Sequence, residues 1–372
     1  MRIALVSSNS FKYPGGVQNH VLGLYRYLKK RGHYVKIISP MYSDEKKICE
    51  DVIFFGRAKK INFNASLTDL SIITKEFNAK EILERENFDI IHFHNPGLFI
   101  TSEILSKSTS KNIITFHALP DASILYLGLK VFMKYIKKIK LINKIDGIII
   151  VSKPLKKYIS KYFDCKKSVI PNGIDLEIFK NSGRLPLYQD GKINILFLGR
   201  IEKRKGLIYL IKAYEILKKK HKNIRLIVIG SGNLEEKCKN YVKKRKIEDV
   251  IFVGSVNEEE KVKYINTCDI FCAPSIYGES FGIVLLEAMA CGKPIVAFAN
   301  QGYKEVLRGI QKRFLVKPKN INSLAKKIEI LIKDDRLRRK LGKFGKKEVK
   351  KYSWNIVGRK IERFYEEILN EK

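Results

Sequence analysis

Short apolar runs alternate with longer amphipathic stretches along most of the chain. Apolar runs of this kind predict buried strands, and the amphipathic stretches between them predict helices. In the first half, the predicted strands are residues 1–8, 34–39, 52–55, 90–93, 113–116 and 147–151. In the second half, they are residues 193–198, 224–229, 250–253, 270–274 and 294–298. Regular alternation of strand and helix favours parallel, doubly wound α/β sheets.

The length of the chain favours two domains. At 372 residues it is long for one hydrophobic core, and two domains of about 180 residues are expected. Residues 181–192 form a polar segment with Gly and Pro near the middle, which is typical of a linker. We therefore predict domains at 1–180 and 181–352, followed by an amphipathic helix in 353–372.

The chain is strongly basic, with a formal net charge of +35 that is spread over both halves. Such a charge attracts polyanions, including nucleic acids and anionic membranes. Zinc-finger spacing, an RNP motif and a basic zipper are all missing from the sequence, which disfavours a nucleic-acid partner. Six cysteines without a C-x-x-C pair predict reduced, mostly buried thiols. We see neither an apolar run of about 18 residues nor a signal peptide, and expect a cytoplasmic protein.

Two glutamates, Glu279 and Glu287, flank a glycine-punctuated turn between strand 270–274 and a helix expected to begin near Phe281. Strand-to-helix turns of α/β proteins are common ligand sites, and a helix start offers N–H groups to a phosphate. If the intervening residues are helical, the two glutamates lie about 12 Å apart along the axis, roughly the span of a nucleotide-sugar. The alternative is a solvated Glu279 and an ordinary amphipathic helix that carries Glu287.

Other strand ends carry candidate ligand-binding groups. Gly15 and Gly16 follow the first strand, where they form either a plain turn or a place for close backbone approach to a phosphate or sugar. Arg200 and Lys205 belong to a basic cluster after strand 193–198, which either binds a phosphate or is only solvated charge. Gly230 follows strand 224–229.

Histidines and a lysine-rich segment complete the candidates. His92, His94 and His117 fall near the carboxyl ends of two predicted strands, where they are either ligand-binding or structural. Residues 124–145 alternate apolar residues with lysines and predict a basic amphipathic helix. Such a helix either docks on an anionic bilayer or packs its apolar face on the sheet.

Several motifs together resemble the retaining glycosyltransferases of the family-4 type. Residues 278–294 resemble the E-x7-E element of that family, and residues 199–206 resemble its G-R-x-x-x-x-K-G element. Residues 14–21 with 32–35 resemble its amino-terminal signature, and residues 171–175 its P-N-G-[IV]-D turn. The phosphatidylinositol mannosyltransferase branch is the most similar. This resemblance implies the GT-B fold, in which two Rossmann-like domains face a cleft and the last helix crosses back to the first domain.

The resemblance also implies a role for each candidate. It implies that Glu279 contacts the donor sugar, Glu287 the ribose, and Arg200 with Lys205 the diphosphate. His117 would contact the sugar or position the acceptor, and His94 is a weaker candidate. The implied catalytic residues are Glu279, His117, Arg200 and Lys205. The implied donor-binding residues are Gly15, Gly16, Arg200, Lys205, Gly230, Val256, Glu279, Ser280, Phe281, Gly282, Ile283 and Glu287.

The implied reaction is a retaining, metal-independent transfer of a hexosyl group from a GDP- or UDP-hexose to a lipid, lipid-linked or glycan acceptor. A mannosyl group and peripheral membrane docking are part of this expectation. We predict no cofactor and no metal, because the sequence has no D-x-D motif and no His/Cys/Asp cluster with metal-ligand spacing. The alternatives are a nucleotide-sugar epimerase or hydrolase, a PLP-dependent phosphorylase, and a non-catalytic protein that binds polyanions or membranes.

Overall fold

A computed structural model describes residues 1–12, 15–63, 66–74, 76–95, 98–117, 134–135, 137, 140–179 and 183–371. The chain divides into two compact units. Unit 1 comprises Met1–Ile174 and Tyr352–Lys372, and unit 2 comprises Asp175–Lys351. The chain thus leaves unit 1 a few residues before the predicted linker and returns to it near the end.

Within the described residues, unit 1 is built on a sheet of eight strands in the order β4-β3-β2-β1-β5-β6-β7-β8. Its strands are β1 (Arg2–Ser7), β2 (Tyr34–Met41), β3 (Val52–Phe63), β4 (Ser66–Ile72), β5 (Ile90–His94), β6 (Lys111–Phe116), β7 (Gly147–Ile150) and β8 (Lys166–Val169). The neighbours pair in parallel except β3 and β4, which form an antiparallel pair. The hydrophobic pattern predicts the central strands, whereas it misses β4 and β8, which have fewer apolar residues.

The first helices of unit 1 are α1 (Gly16–Lys30), α2 (Ala79–Glu86), α3 (Leu98–Lys107) and α4 (Lys153–Ile159). The sequence of α1 explains its packing. Val21, Leu24 and Leu28 repeat at helical spacing and are fully buried against the sheet. Lys29 and Lys30 occupy the last turn, where positive charge stabilises a helix end.

Unit 2 contains a parallel sheet of six strands in the order β11-β10-β9-β12-β13-β14. Its strands are β9 (Ile193–Leu198), β10 (Ile224–Ile229), β11 (Val250–Gly254), β12 (Ile270–Ala273), β13 (Ile295–Phe298) and β14 (Leu315–Val316). Its helices are α5 (Leu207–Lys220), α6 (Glu235–Lys244), α7 (Glu258–Thr267), α8 (Ile283–Ala290), α9 (Gln301–Val306), α10 (Ile321–Lys333) and α11 (Asp335–Val349). The strands predicted for the second half are therefore confirmed.

The strand orders define where each sheet can bind a ligand. In unit 2 the chain runs outward from β9 to β11 and then crosses to β12 on the other side of β9. In unit 1 it runs outward from β1 to β4 and then crosses to β5. Connections diverge at such a switch point, and they leave a crevice outside the carboxyl ends of the two central strands. The crevices lie beside β9 and β12 in unit 2, and beside β1 and β5 in unit 1.

The last helix, α12 (Trp354–Leu369), packs on unit 1 rather than on the unit that precedes it in sequence. Its apolar face joins the core that contains α1, through Val357, Ile361, Phe364, Tyr365 and Ile368. Trp354 begins the helix and packs so closely on α1 that a Cβ atom at Gly23 would lie 2.1 Å from the indole nitrogen. Position 23 therefore requires glycine.

The predicted helix at 124–145 is wrong at its carboxyl end. Lys140 has a left-handed backbone with φ of 56°, and Leu141–Lys144 forms a separate turn of 3-10 helix. Lys144 donates hydrogen bonds to the carbonyl oxygens of Ser106 (2.8 Å) and Ser108 (3.0 Å), so its ammonium group is used inside unit 1. Most of the remaining segment lies outside the described residues. Among the described helices, none combines the length and apolar character that crossing a membrane requires.

Candidate functional site

The turn after β12 carries Glu279 and is held in place by contacts with the start of α9. Asn300 donates from Nδ2 to the carbonyl oxygen of Ser275 at 3.0 Å, and the Tyr303 hydroxyl lies 3.0 Å from Ser275 Oγ. Gly302 approaches so closely that a Cβ atom there would lie 2.3 Å from the Glu279 carbonyl oxygen. These contacts hold the backbone of Glu279 at the carboxyl edge of the sheet, beside the switch point.

Two cations from the neighbouring loop converge on the Glu279 carboxylate. Arg204 Nη1 and Lys205 Nζ both donate to Oε1, at 2.8 and 2.7 Å. Glu279 is only 8% exposed, and burial alone would raise its pKa. Lys205 and Arg204 outweigh that effect and hold the pKa of Glu279 below its ordinary value. Burial lowers the pKa of Lys205, and Glu279 opposes part of that shift.

Arg204 was not assigned a role by the sequence, although it lies inside the predicted basic cluster. Its guanidinium group also donates to the Gly278 carbonyl oxygen at 3.1 Å and pairs with Glu202 at 2.9 Å. Arg204 therefore ties the β9 loop to the β12 turn. Arg200 pairs with the same Glu202 oxygen at 3.3 Å and is half-exposed. The signal for Arg204 was only its place among three consecutive basic residues.

The helix after the turn begins at Ile283, in agreement with the start expected near Phe281. Gly282 precedes it with φ of 101°, and a Cβ atom there would lie 2.5 Å from the Tyr303 ring. Glu279 and Glu287 are thus not joined by continuous helix, and the predicted 12 Å helical rise between them does not apply. Ser280 and Phe281 are buried. The first turn of α8 still leaves backbone N–H groups without partners inside the helix.

Glu287 lies within α8 and forms a second buried ion pair. Lys261 of α7 donates to its Oε1 at 2.8 Å and also pairs with Glu258 at 2.7 Å. Burial alone would lower the pKa of Lys261, but Glu287 and Glu258 raise it above the ordinary value. No motif in the sequence indicated Lys261. Its pairing with Glu287 joins α7 to α8, two helices that β12 and the 279–283 turn separate in the sequence.

Gly230 and Val256 follow β10 and β11, at the same carboxyl edge of the unit 2 sheet as Arg200. Gly230 has φ of 120°, and a Cβ atom there would lie 2.1 Å from the Gly199 carbonyl oxygen. The next residue, Ser231, is hydrogen-bonded through its hydroxyl to Ser255 at 2.9 Å. Glycine at 230 therefore lets the β9 and β10 loops lie against each other.

Unit 1 carries the predicted histidines and the two predicted glycines at the start of α1. Gly15 and Gly16 lie at the start of α1, and a Cβ atom at Gly15 would lie 2.5 Å from the flexible Gln18 side chain. His94 Nδ1 lies 3.1 Å from His117 Nε2, and His117 Nδ1 lies 3.1 Å from Asn172 Oδ1. Burial lowers the pKa of His117 to about 4 and that of His94 well below its ordinary value. Both rings are therefore neutral at pH 7.

The sequence matches known families over both halves. A profile described as Glycosyltransferase Family 4 matches residues 14–178, and one described as Glycosyl transferases group 1 matches residues 182–348. A phosphatidyl-myo-inositol mannosyltransferase of Mycobacterium leprae is 32% identical over 371 residues, which is 99% of this chain and 97% of that protein. The chain belongs to the family-4 glycosyltransferases. The Mycobacterium tuberculosis protein of the same name is 31% identical over 375 residues, with coverage of 99% and 97%.

Solved structures agree with this assignment at the level of the fold. Sucrose-phosphate synthase from Thermosynechococcus elongatus superposes with a TM-score of 0.79 at 20% identity, and the match covers 99% of each chain. Anabaena Alr3699/HepE in complex with UDP-glucose gives a TM-score of 0.76 at 16% identity, over 99% of this chain and 100% of that one. The fold of this glycosyltransferase is GT-B, with two Rossmann-like units.

Each unit of this glycosyltransferase gathers a different part of the predicted site. Unit 2 holds Arg200, Lys205, Gly230, Val256 and the 279–283 turn in the loops that follow its strands, and it holds Glu287 in the helix after that turn. Unit 1 holds Gly15, Gly16, His94 and His117. Sequence reasoning missed Arg204, Lys261 and His20. Sequence reasoning also did not show that His20, His94 and His117 lie together, because adjacent strands and α1 bring these distant segments into contact.

Proposed function

We propose that the protein is a retaining, metal-independent hexosyltransferase that moves a mannosyl group from a nucleotide-sugar to the inositol headgroup of a lipid. The mannosyl group and the lipid acceptor are supported by two relatives, at 31% and 32% identity over almost the whole chain, that are named phosphatidyl-myo-inositol mannosyltransferases. The observation that carries the proposal is the convergence of Arg204 and Lys205 on Glu279 at the switch point of unit 2. This arrangement places cations that can bind a diphosphate beside a carboxylate that can bind a sugar.

Unit 2 binds the donor in this proposal. Arg200 and Lys205 contact the diphosphate, because Arg offers a planar fork and Lys a compact charge to phosphate oxygens. The first turn of α8 adds backbone N–H groups. Glu287 accepts hydrogen bonds from the ribose hydroxyls, and Glu279 from the sugar. Gly230 and Val256 lie at the nucleotide end of the site.

In this proposal three cationic side chains take the place of a metal ion during departure of the nucleoside diphosphate. Arg200, Arg204 and Lys205 lie in one loop and stabilise the negative charge that develops on the leaving phosphate. The bond from the sugar carbon to the phosphate oxygen breaks, and the acceptor hydroxyl attacks from the same face. Its proton passes to the leaving phosphate. Glu279 orients the sugar and takes no part as a nucleophile.

Unit 1 recognises the acceptor in this proposal. His117 is neutral, so it exchanges hydrogen bonds with a hydroxyl group without requiring a charged partner. We propose that the protein acts in the cytoplasm and docks peripherally on an anionic membrane. The net charge of +35 supports the docking, because basic surfaces are attracted to acidic headgroups.

The test is a transfer assay with GDP-mannose, UDP-glucose and ADP-glucose as donors, each with and without phosphatidylinositol vesicles. We expect lipid mannosylation with GDP-mannose, and an α-linked product in its NMR spectrum, because retention preserves the donor's anomeric configuration. Chelator should leave the rate unchanged. Free mannose without an acceptor would instead indicate a hydrolase, and a changed sugar stereocentre on the nucleotide would indicate an epimerase. Binding to anionic vesicles without any donor turnover would contradict the enzymatic proposal.

A thermal-shift series identifies the base. A ligand that binds only the folded state raises Tm, so GDP, UDP and ADP at equal concentrations are directly comparable. We expect the largest shift with GDP. A larger shift with UDP would replace the proposed donor without affecting the proposal of glycosyl transfer.

A further inference from the structure

A single carboxylate oxygen holds two of the cations proposed to act on the donor diphosphate. Glu279 Oε1 accepts hydrogen bonds from Lys205 Nζ at 2.7 Å and from Arg204 Nη1 at 2.8 Å. The side chains of Lys205 and Glu279 are 17% and 10% exposed, so their attraction is only weakly screened. An anion that binds Lys205 must therefore compete with Glu279 for it.

Arg200, the other side chain proposed to contact the diphosphate, is placed differently. Its guanidinium group pairs with Glu202 at 3.3 Å, and its side chain is 50% exposed. Exposed ion pairs contribute little free energy, so this pair opposes an incoming phosphate only weakly. The competition for the diphosphate is thus concentrated at Lys205 and Glu279.

Glu279 has little freedom to move away from the two cations. A Cβ atom at Gly302 would lie 2.3 Å from the Glu279 carbonyl oxygen, so α9 packs directly on this part of the backbone. Arg204 Nη1 also donates to the carbonyl oxygen of Gly278 at 3.1 Å, which ties the same cation to the backbone just before Glu279. The carboxylate therefore remains beside any phosphate that Lys205 binds.

The donor and the product of the proposed reaction present different charges to Glu279. In the donor, the phosphate next to the sugar is esterified, and the sugar hydroxyl groups can donate hydrogen bonds to the carboxylate. In the nucleoside diphosphate product that phosphate is terminal, and it loses a second proton at about pH 6. The product thus brings more negative charge to a buried carboxylate, and like charges at close range repel each other strongly.

We propose that Glu279 weakens the binding of the nucleoside diphosphate product relative to that of the nucleotide-sugar donor. It does so by holding Lys205 and Arg204 and by repelling a terminal phosphate. The same carboxylate that binds the donor sugar thereby promotes release of the product. This inference rests on the proposed transferase activity, and it gives Glu279 a part in distinguishing substrate from product.

Isothermal titration calorimetry with GDP and GDP-mannose tests this role in the full-length chain, and UDP with UDP-glucose forms a second pair of ligands. Glu279→Gln keeps the shape of the side chain and removes its charge. Affinity for the diphosphate should rise by at least about tenfold, because Lys205 and Arg204 are released and the repulsion is lost. Affinity for the nucleotide-sugar should rise less, since a weaker hydrogen bond to the sugar opposes the same gain.

Glu287→Gln is the matched control. Glu287 forms a buried ion pair with Lys261 at 2.8 Å in the same unit, and the two side chains are 9% and 10% exposed. Its proposed partner, the ribose, belongs to both the donor and the product. The substitution should therefore lower both affinities by similar factors and leave their ratio within about twofold of the original value.

A double-mutant cycle shows whether Glu279 acts through Lys205. Glu279→Gln is combined with Lys205→Ala, and the GDP affinity is measured for all four proteins. Without Lys205, the gain caused by Glu279→Gln should be at least about threefold smaller, because the effects of residues in contact are not additive. Equal gains with and without Lys205 would contradict the proposed competition for this lysine.

The direction of the effect separates this role from a structural one. Loss of a purely structural contact lowers Tm or weakens both ligands, and it does not strengthen binding of the product. An unchanged or weaker GDP affinity in folded Glu279→Gln would overturn the inference alone if the unchanged protein transfers sugar. If the unchanged protein binds neither the nucleotides nor their sugars, the proposed function fails as well.

Glu279→Asp replaces the first variant if Glu279→Gln does not fold. Its shorter side chain withdraws the carboxylate from Lys205 and Arg204 while keeping the charge. The GDP affinity should rise in this variant by a smaller factor than is expected for Glu279→Gln. An unchanged GDP affinity in the folded aspartate variant would also overturn the inference.

Discussion

Paired ions lie beside the crevice of unit 2, next to β9 and β12, whereas neutral imidazoles lie beside the corresponding crevice of unit 1. Arg204, Lys205 and Glu279 form the ionic group, and His20, His94 and His117 form the neutral one. Both groups lie at the carboxyl side of a doubly wound sheet, so the backbone does not decide their chemistry. The side chains at the strand ends do, in agreement with the general rule that one fold can carry different sites.

The difference agrees with the proposal that unit 2 binds the donor and unit 1 recognises the acceptor. A donor diphosphate is an anion, and ionic side chains bind it and stabilise the charge of its departure. An acceptor hydroxyl is neutral and needs hydrogen-bonding partners rather than charge.

Removal of a cation from unit 2 should have the largest effect. Lys205→Ala should lower the transfer rate by about 10²–10³-fold, the usual loss when one group that stabilises developing charge is removed. Steady-state kinetics with the donor varied would measure it. Lys203→Ala is the matched control, because Lys203 lies in the same short turn but is exposed. Equal rates for both variants would contradict the assignment of Lys205.

Arg204→Lys tests whether the geometry of the ionic group matters in addition to its charge. Lysine keeps the positive charge but lacks the fork that reaches Glu279, Gly278 and Glu202 together. We expect a drop of about 10–100-fold in kcat, which corresponds to one hydrogen bond to a charged group. The melting temperature is measured in parallel. If kcat falls only in proportion to the loss of folded protein, Arg204 has a structural role and no direct role in the reaction.

Acid should destabilise unit 1 at a higher pH than it affects Glu279. The pKa of His117 is about 4 in the folded protein, against about 6.5 when unfolded, so between these values only the unfolded chain binds the proton. Stability is full above pH 6.5 and falls as the pH is lowered, by about 1.4 kcal/mol per pH unit for one such histidine. The pKa of Glu279 is lowered, so its contribution is lost only below the ordinary glutamate range.

Urea unfolding at a series of pH values measures this effect. Fluorescence of Trp354, the single tryptophan of the chain, follows unit 1. His117→Gln should reduce the pH slope by about one proton. A free energy of unfolding that stays constant between pH 6.5 and 5 would contradict the buried, neutral state of the histidines.

His117→Gln should have the smallest effect on activity. It removes a neutral hydrogen bond, and we expect the KM for the lipid acceptor to rise by about 2–10-fold while the KM for the donor is unchanged. Initial rates with each substrate varied separately distinguish the two constants. His221→Gln is the control, because this histidine belongs to unit 2 and pairs with Glu329. A rise in the KM for the donor instead would contradict the role of His117 in recognising the acceptor.

The sequence by itself determined the central strands of both sheets and the family of the protein. Apolar runs predicted the central strands of both sheets because a buried parallel strand needs apolar residues on both faces. The glycine-punctuated turn, the basic cluster and the two glutamates pointed to unit 2 because these residue types occur close together in the sequence. Sequence patterns did not predict contacts between residues that are far apart in the sequence.

Only the tertiary structure decided the pairings. Arg204 with Glu279, Lys261 with Glu287, and His20 with His94 and His117 each join segments that are separated in sequence. The strand order and the packing of α1 and α7 bring these segments together, and no local spacing encodes such contacts. The tertiary structure also explains the glycine before α8, because Gly282 has a left-handed backbone and a Cβ atom there would lie 2.5 Å from the Tyr303 ring.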